Sequence, residues 1–285
     1  MKHWTIEQVA WDRFDPARVD PAVVPLVKAA ALVERNGADY ATYLCSVFHD
    51  DPPFQQAARN WAVEEIQHGD ALGRWGELAD PEFRFRPTFE RYHRDVKLPL
   101  DASASVRGTR TGELIARCMV ETGTSSYYTA LGEATDEPVL QEICRLIAAD
   151  EYRHFKLFYD HMRRYLAREN ISVLSRIRIA LGRVTETEDD ELAFAYHVAN
   201  TEAGATYEHE TAMALYLSRA IGFYRPHHFD RATGMMLKAV GLPPRGRFSE
   251  LAARTGYALM QRKRVRMEKL LAARGHNPAP LAQAA

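Results

Sequence analysis

The sequence predicts an all-α fold, a four-helix bundle with additional C-terminal helices. Three observations predict it. Apolar residues recur at helical spacing through most of the chain, and no stretch alternates as a half-buried strand would. Proline-bearing turns cut the chain into segments of helix length. Short turns join the first helix to the second and the third to the fourth, while a long link separates the two pairs.

The first helix is expected over residues 21–48, with Leu26, Ala30, Val33, Gly37, Ala41 and Leu44 on one face. Asp50-Asp51-Pro52-Pro53 then ends one helix and begins the next, because proline is tolerated in a first turn, where its missing N–H leaves no bond unmade. The second helix covers residues 53–78. Residues 79–107 read as a proline-bearing, aromatic-rich connection, too polar and irregular for one continuous helix. The third helix starts near Thr109 and fades by Gly132; Asp136-Glu137-Pro138 restarts the chain into a fourth, ending near Glu169. Two hairpins joined by a long crossover is the connectivity of ferritin-like bundles. Further helical stretches follow at 171–184, 189–221, 230–240 and 248–273, with a break at Gly241–Gly246. We read residues 1–285 as a single domain: a core at about 21–165, accessory helices at about 171–274 and a loose tail at 275–285.

Composition narrows the function. With 37 basic and 38 acidic residues the net charge is −1, so nothing demands a nucleic-acid partner. No apolar run approaches the roughly 20 residues that span a bilayer, and the N-terminus lacks an apolar signal core. Cys45, Cys118 and Cys144 are far apart in apolar surroundings and form no CxxC pair, so they read as reduced core residues. The expected location is the cytoplasm, and the expected state a homodimer.

The informative feature is charge on the wrong face. The apolar stripe of the fourth helix runs through Ile143, Ile147, Leu157 and Phe158, and its intermediate positions are Asp150, Glu151 and His154. The second helix does the same: Trp61, Ala71, Leu72 and Trp75 define a stripe containing Glu65 and His68. An unpaired buried carboxylate costs several kcal/mol or takes up a proton. Two Glu-x-x-His pairs on two core faces therefore call for one explanation, and a metal supplies it. The i, i+3 spacing puts Glu and His on one side of the helix, one turn apart. A glutamate from each of two helices plus Glu-x-x-His from each of the other two is the ligand pattern of carboxylate-bridged two-metal bundles. Here Glu34, the only glutamate of the first helix, and Glu121, at mid-depth in the third, complete the set. Glu113 competes with Glu121, but a first-turn acid is expected for the helix dipole alone. The candidate ligands are thus Glu34, Glu65, His68, Glu121, Glu151 and His154. Four carboxylates and two imidazoles suit two iron ions, with manganese the alternative. Two redox-active ions about 3.5–4 Å apart could reduce O2 and oxidise a substrate C–H bond.

Residues 61–72, Trp-Ala-Val-Glu-Glu-Ile-Gln-His-Gly-Asp-Ala-Leu, closely resemble the first Glu-x-x-His motif of soluble acyl-(acyl-carrier-protein) desaturases. Residues 147–154, Ile-Ala-Ala-Asp-Glu-Tyr-Arg-His, match the second. The resemblance spans about residues 21–165 and implies O2-dependent oxidation of a hydrophobic acyl chain, presented on acyl carrier protein, with electrons from a donor such as ferredoxin. It implies that Asp150 orients a ligand histidine, and it places Thr124 beside the oxygen-binding face; a helix-interior threonine bonded to its own backbone is the plain alternative. The family's Glu-Arg-Ala-Thr is Glu121-Thr122-Gly123-Thr124 here, so the arginine is missing, which bears on the substrate more than on the metals.

Other features are weaker. Glu202 and His209 would share a face of the long sixth helix, and His227-His228 is a second histidine cluster; both read first as polar helix surface. The basic run at 261–269 could dock an acidic carrier, or be a solvated face. Thr124, Ser125, Tyr128 and Leu131 are candidate walls for a substrate tunnel. Two further functions compete with desaturation: hydroxylation or another oxidation of a small molecule, and iron handling as a ferroxidase or peroxide scavenger.

Overall fold

The computed structural model describes residues 3–186 and 190–276. Its helices are α1 (Val24–Arg35), α2 (Gly37–Val47), α3 (Pro52–Ala79), α4 (Phe85–Asp95), α5 (Arg110–Ala134), α6 (Pro138–Glu169), α7 (Val173–Glu186), α8 (Asp190–Asn200), α9 (His209–Ala220), α10 (Pro226–Val240) and α11 (Arg247–Ala273). No strand occurs among the described residues. The bundle consists of α1 and α2 packed along α3, α5 packed along α6, and α3 against α6. It is an all-α, ferritin-like fold. No described helix is long and apolar enough to cross a membrane.

The long helices begin where capping chemistry starts them. Asp51 accepts from the Phe54 amide ahead of the proline pair, and Thr109 accepts from the Gly112 amide. Glu137 accepts from the amides of Val139 and Leu140 at the start of α6, whose far end closes on Asn170 in the left-handed region (φ 50°).

Two expectations need correction, for the first helix and for 189–221, and the 79–107 connection gains detail. The first helix is broken: α1 ends at Arg35, Asn36 caps it, and α2 starts at Gly37. There the chain crosses α3 so closely that a Cβ on Gly37 would lie 2.5 Å from Glu65 Cβ, and one on Gly69 would lie 2.5 Å from the Arg35 amide nitrogen. The 79–107 connection holds a helix, α4, whose Phe85, Phe89 and Tyr92 form a stripe packed into the core; its Pro87 sits harmlessly in the first turn. The stretch at 189–221 is not one helix. Residues 201–208 leave it around Gly204 (φ 88°), and with almost every residue there exposed, no packing compels a helix. Asp189 and the tail beyond residue 276 lie outside the described residues.

Candidate metal centre

Four bundle segments deliver the six expected residues to one place. Glu34 comes from α1, Glu65 and His68 from α3, Glu121 from α5, and Glu151 and His154 from α6; all six are buried. The two close crossings at Gly37 and Gly69 set the depth at which Glu34 meets the α3 pair.

The ligand atoms form two overlapping groups. Glu34, Glu65, His68 and Glu151 offer atoms within 4.8 Å of one another, and so do Glu65, Glu121, Glu151 and His154. Glu65 and Glu151 belong to both groups. His68 Nδ1 lies 3.3 Å from Glu151 Oε1 and 3.6 Å from Glu34 Oε2. His154 Nδ1 lies 2.9 Å from Glu65 Oε1 and 3.6 Å from Glu121 Oε2.

Outside the six, each histidine is held from behind by a carboxylate of the opposite helix. His68 Nε2 is 3.0 Å from Asp150 Oδ2, and His154 Nε2 is 3.1 Å from Glu64 Oε2. Trp4 Nε1 donates to Asp150 Oδ2 at 2.8 Å, with its ring stacked on His68. Arg153 joins the two acids, 2.5 Å from Asp150 Oδ1 and 2.9 Å from Glu64 Oε2. Two hydroxyls complete the surroundings: Tyr128 donates to Glu34 Oε1 at 2.5 Å, and Thr124 donates to Glu151 Oε2 at 2.6 Å. Thr124 also lies 3.3 Å from the backbone oxygens of Val120 and Glu121, so it faces both its own helix and the cluster. Glu64, Arg153, Trp4 and the Tyr128 hydroxyl were not singled out from the sequence. Glu64 and Asp150 had a readable signal: in both motifs a second acid immediately precedes the Glu of Glu-x-x-His.

The electrostatics describe a cluster short of positive charge. Burial, then Glu151 and Glu34, push Glu65 well above the usual carboxylate range. Burial and Glu151 push Glu121 up to about 8. Burial works against charge on His68 and His154, but their carboxylate neighbours outweigh it and raise both. Burial likewise opposes ionisation of Glu151, yet His154 and His68 hold it well below its ordinary range. Protons thus stand where a cation would relieve the same repulsion, so binding a metal would release them. The donor set fits two metal ions by an independent criterion. Glu34 Oε2, Glu65 Oε1, His68 Nδ1, Glu121 Oε1, Glu151 Oε1 and His154 Nδ1 are each enclosed without a hydrogen-bond partner. Six orphaned atoms in one pocket of the core are otherwise hard to account for.

Residues 114–231 match the family model described as Rubrerythrin, a ferritin-like di-iron carboxylate family. The matched stretch runs from α5 into α10 and includes Glu121, Glu151 and His154. No curated protein matches the chain. The matched family is not the desaturases, so acyl-chain chemistry rests on the sequence motifs alone.

The remaining candidates lie apart from the centre. Glu113 Oε2 accepts from the Tyr43 and Ser105 hydroxyls, both at 2.8 Å, and belongs to neither group. Glu202 falls in the irregular 201–208 segment, so it shares no helix with His209. His227 and His228 both meet Glu133 Oε2 at 2.9 Å. His228 Nδ1, however, accepts from the Arg225 amide, which leaves its proton on Nε2 and ill-suits that atom to a metal. The basic run lies on α11, packed chiefly against α9 and α10. Surface cavities of about 370, 500 and 550 Å³ lie against the 103–110 loop, between α9 and α11, and between α2 and α3. None of the three is lined by the six residues or by Thr124, Ser125, Tyr128 or Leu131.

Proposed function

We propose that this chain is an O2-dependent di-iron oxidase acting on an organic substrate. The observation that carries the reading is the pair of overlapping quartets with Glu65 and Glu151 in common. It supports one iron among Glu34, Glu65, His68 and Glu151, and a second among Glu65, Glu121, Glu151 and His154. Four carboxylates match the charge of two divalent ions. When bound, the irons supply the one-electron steps that O2 reduction requires.

The chain's own residues prepare the site. Asp150 and Glu64 each favour a proton on the outer histidine nitrogen, leaving the inner Nδ1 lone pair for a metal. The Tyr128 and Thr124 hydroxyls tether Glu34 and Glu151, and burial keeps bulk water from the cluster. The motifs at 61–72 and 147–154 support an acyl chain as the substrate, with acyl carrier protein and ferredoxin as partners; oxidation of a smaller molecule uses the same centre.

The match to the rubrerythrin model favours a second reading, iron oxidation for its own sake. Anaerobic loading followed by O2 separates the two. The oxidase should retain about two irons per chain, consume O2, and stop after one round unless a reductant is supplied. A ferroxidase would keep oxidising added ferrous iron without one. Reduced, loaded protein that stays unchanged in air would end both readings.

A further inference from the structure

Arg117 is a buried arginine whose guanidinium no described residue meets with a hydrogen bond. It lies in α5, nine-tenths buried, four residues before Glu121. Its Nε is enclosed without a partner. The nearest carboxylate oxygen, Glu113 Oε1, is 3.9 Å from Nε, too far for a hydrogen bond. Three other partly buried arginines are met directly: Arg107 bonds Glu186 at 2.6 Å, Arg110 pairs with Asp50 at 2.6 Å, and Arg153 with Glu64 at 2.9 Å.

The neighbours do not supply what is missing. Glu113 spends its other oxygen on Tyr43 and Ser105. Glu191 accepts instead from the hydroxyls of Tyr40 and Tyr92. Tyr40 presents its ring face to Arg117, 5.0 Å from the guanidinium carbon. Arg183 adds a like charge: after burial itself, Arg117 is the largest influence lowering the Arg183 pKa. The terminal nitrogens of Arg117, also without an acceptor among the described residues, are not enclosed as Nε is. A buried cation left in this state is costly unless something else completes it. Guanidinium geometry matches a carboxylate with two parallel bonds.

We propose that Arg117 anchors an anion-binding site one helical turn from the metal centre, and that its ligand is the free carboxylate of a compact organic acid. Positions 117 and 121 share one side of α5, with Cβ atoms roughly 5–6 Å apart at i, i+4 spacing. A carboxylate on Arg117 would leave only a few bonds between itself and a group beside Glu121. That length fits a short or aromatic acid, and a carrier-bound thioester would bring no charge to the arginine. Naming this acid as the substrate rests on the oxidase reading above; the anion site itself does not.

The test uses the full chain with its metal content measured beforehand. Acetate, octanoate and benzoate are titrated by calorimetry and by melting temperature, with benzamide as the uncharged control, on loaded and metal-free protein. At least one carboxylate should bind and raise the melting temperature while benzamide does not. Arg117→Gln should weaken that binding at least tenfold, leave metal content unchanged, and melt no lower than the parent without ligand, because an unmet charge has been removed. Indifference of the parent to all three acids overturns the proposal, as does equal binding by Arg117→Gln. A lower melting temperature for the unliganded variant, shared by Glu113→Gln, would show a structural ion pair and overturn it too. Anion binding that persists while the loaded protein stays inert to O2 removes only the oxidase reading.

Discussion

Because each histidine leans on an acid from the opposite helix, the two halves of the centre should be separable by mutation. Asp150 stands behind His68, in the half that holds Glu34; Glu64 stands behind His154, in the half that holds Glu121. Asp150→Asn keeps the shape but removes the charge facing His68 Nε2. A hydrogen bond to a buried charged group contributes about 1.5–3 kcal/mol. At about 1.4 kcal/mol per decade, that predicts roughly a 10- to 150-fold loss of affinity for one metal, in line with the 10- to 100-fold typical of such outer partners. Glu64→Gln should cause a loss of similar size for the other metal. Stepwise metal titration against a chelator of known affinity reads both constants, and circular dichroism confirms that the helices remain. Asp150 also accepts from Trp4 and pairs with Arg153, so Trp4→Phe serves as a control for lost packing. The reasoning fails if both variants weaken both ions equally, or if either binds two ions with unchanged affinity.

Two further outcomes test the scaffold. Glu137 is fully buried and accepts from the amides of Asp15, Val139 and Leu140 and from Trp75 Nε1; Glu137→Ala should lower stability by at least about 3 kcal/mol in urea unfolding, since bonds to charge contribute about 1.5–3 kcal/mol each and are not additive, and a loss below about 1 kcal/mol would be inconsistent with that network. Burial holds His228 below the ordinary imidazole range, with Glu133 opposing, so its contribution is present above the unfolded value of about 6.5 and is lost as pH falls through the folded one. The stability gap between the parent and His228→Ala should therefore narrow from pH 8 to pH 5, and a widening gap would reverse the sign of the argument.

Much of the centre was legible because its signal is local. Glu65/His68 and Glu151/His154 each lie within one helical turn, and proline with a capping acid marks where α3 and α6 begin. Features set by distant parts of the chain were not legible. The break at Asn36 exists because Gly37 and Gly69 let the chain cross α3 nearly in backbone contact, which no periodicity within residues 21–48 reveals. Trp4 reaches Asp150 across 146 positions, and Glu64 reaches His154 across 90. The doubled acids at 64–65 and 150–151 were visible, but only the fold shows that the first acid of each pair serves the other helix. The want of an acceptor at Arg117 among the described residues is likewise a property of packing.

The exchange of acids between α3 and α6 implies a last outcome. Arg153 touches Asp150 and Glu64 together, so it bears on both histidines without belonging to either quartet. Its side chain is 33% exposed, so solvent screens its charge and its influence should be well below that of the buried acids. Removing it leaves Asp150 with His68 and Trp4, and Glu64 with His154 and the exposed His3, but loosens the hold on both acids. Arg153→Ala should therefore weaken both metals by a similar factor, about threefold to tenfold, since exposed pairs contribute up to about 1 kcal/mol and partly buried ones somewhat more. This is the opposite pattern to the selective losses expected of Asp150→Asn and Glu64→Gln. In the double variant with Asp150→Asn, the effect of Arg153→Ala should persist at the His154 half and shrink at the His68 half, because there its partner has already lost its charge. Metal affinities that shift at one half only in the single variant would show that Arg153 supports one histidine, and that the two halves are not braced together.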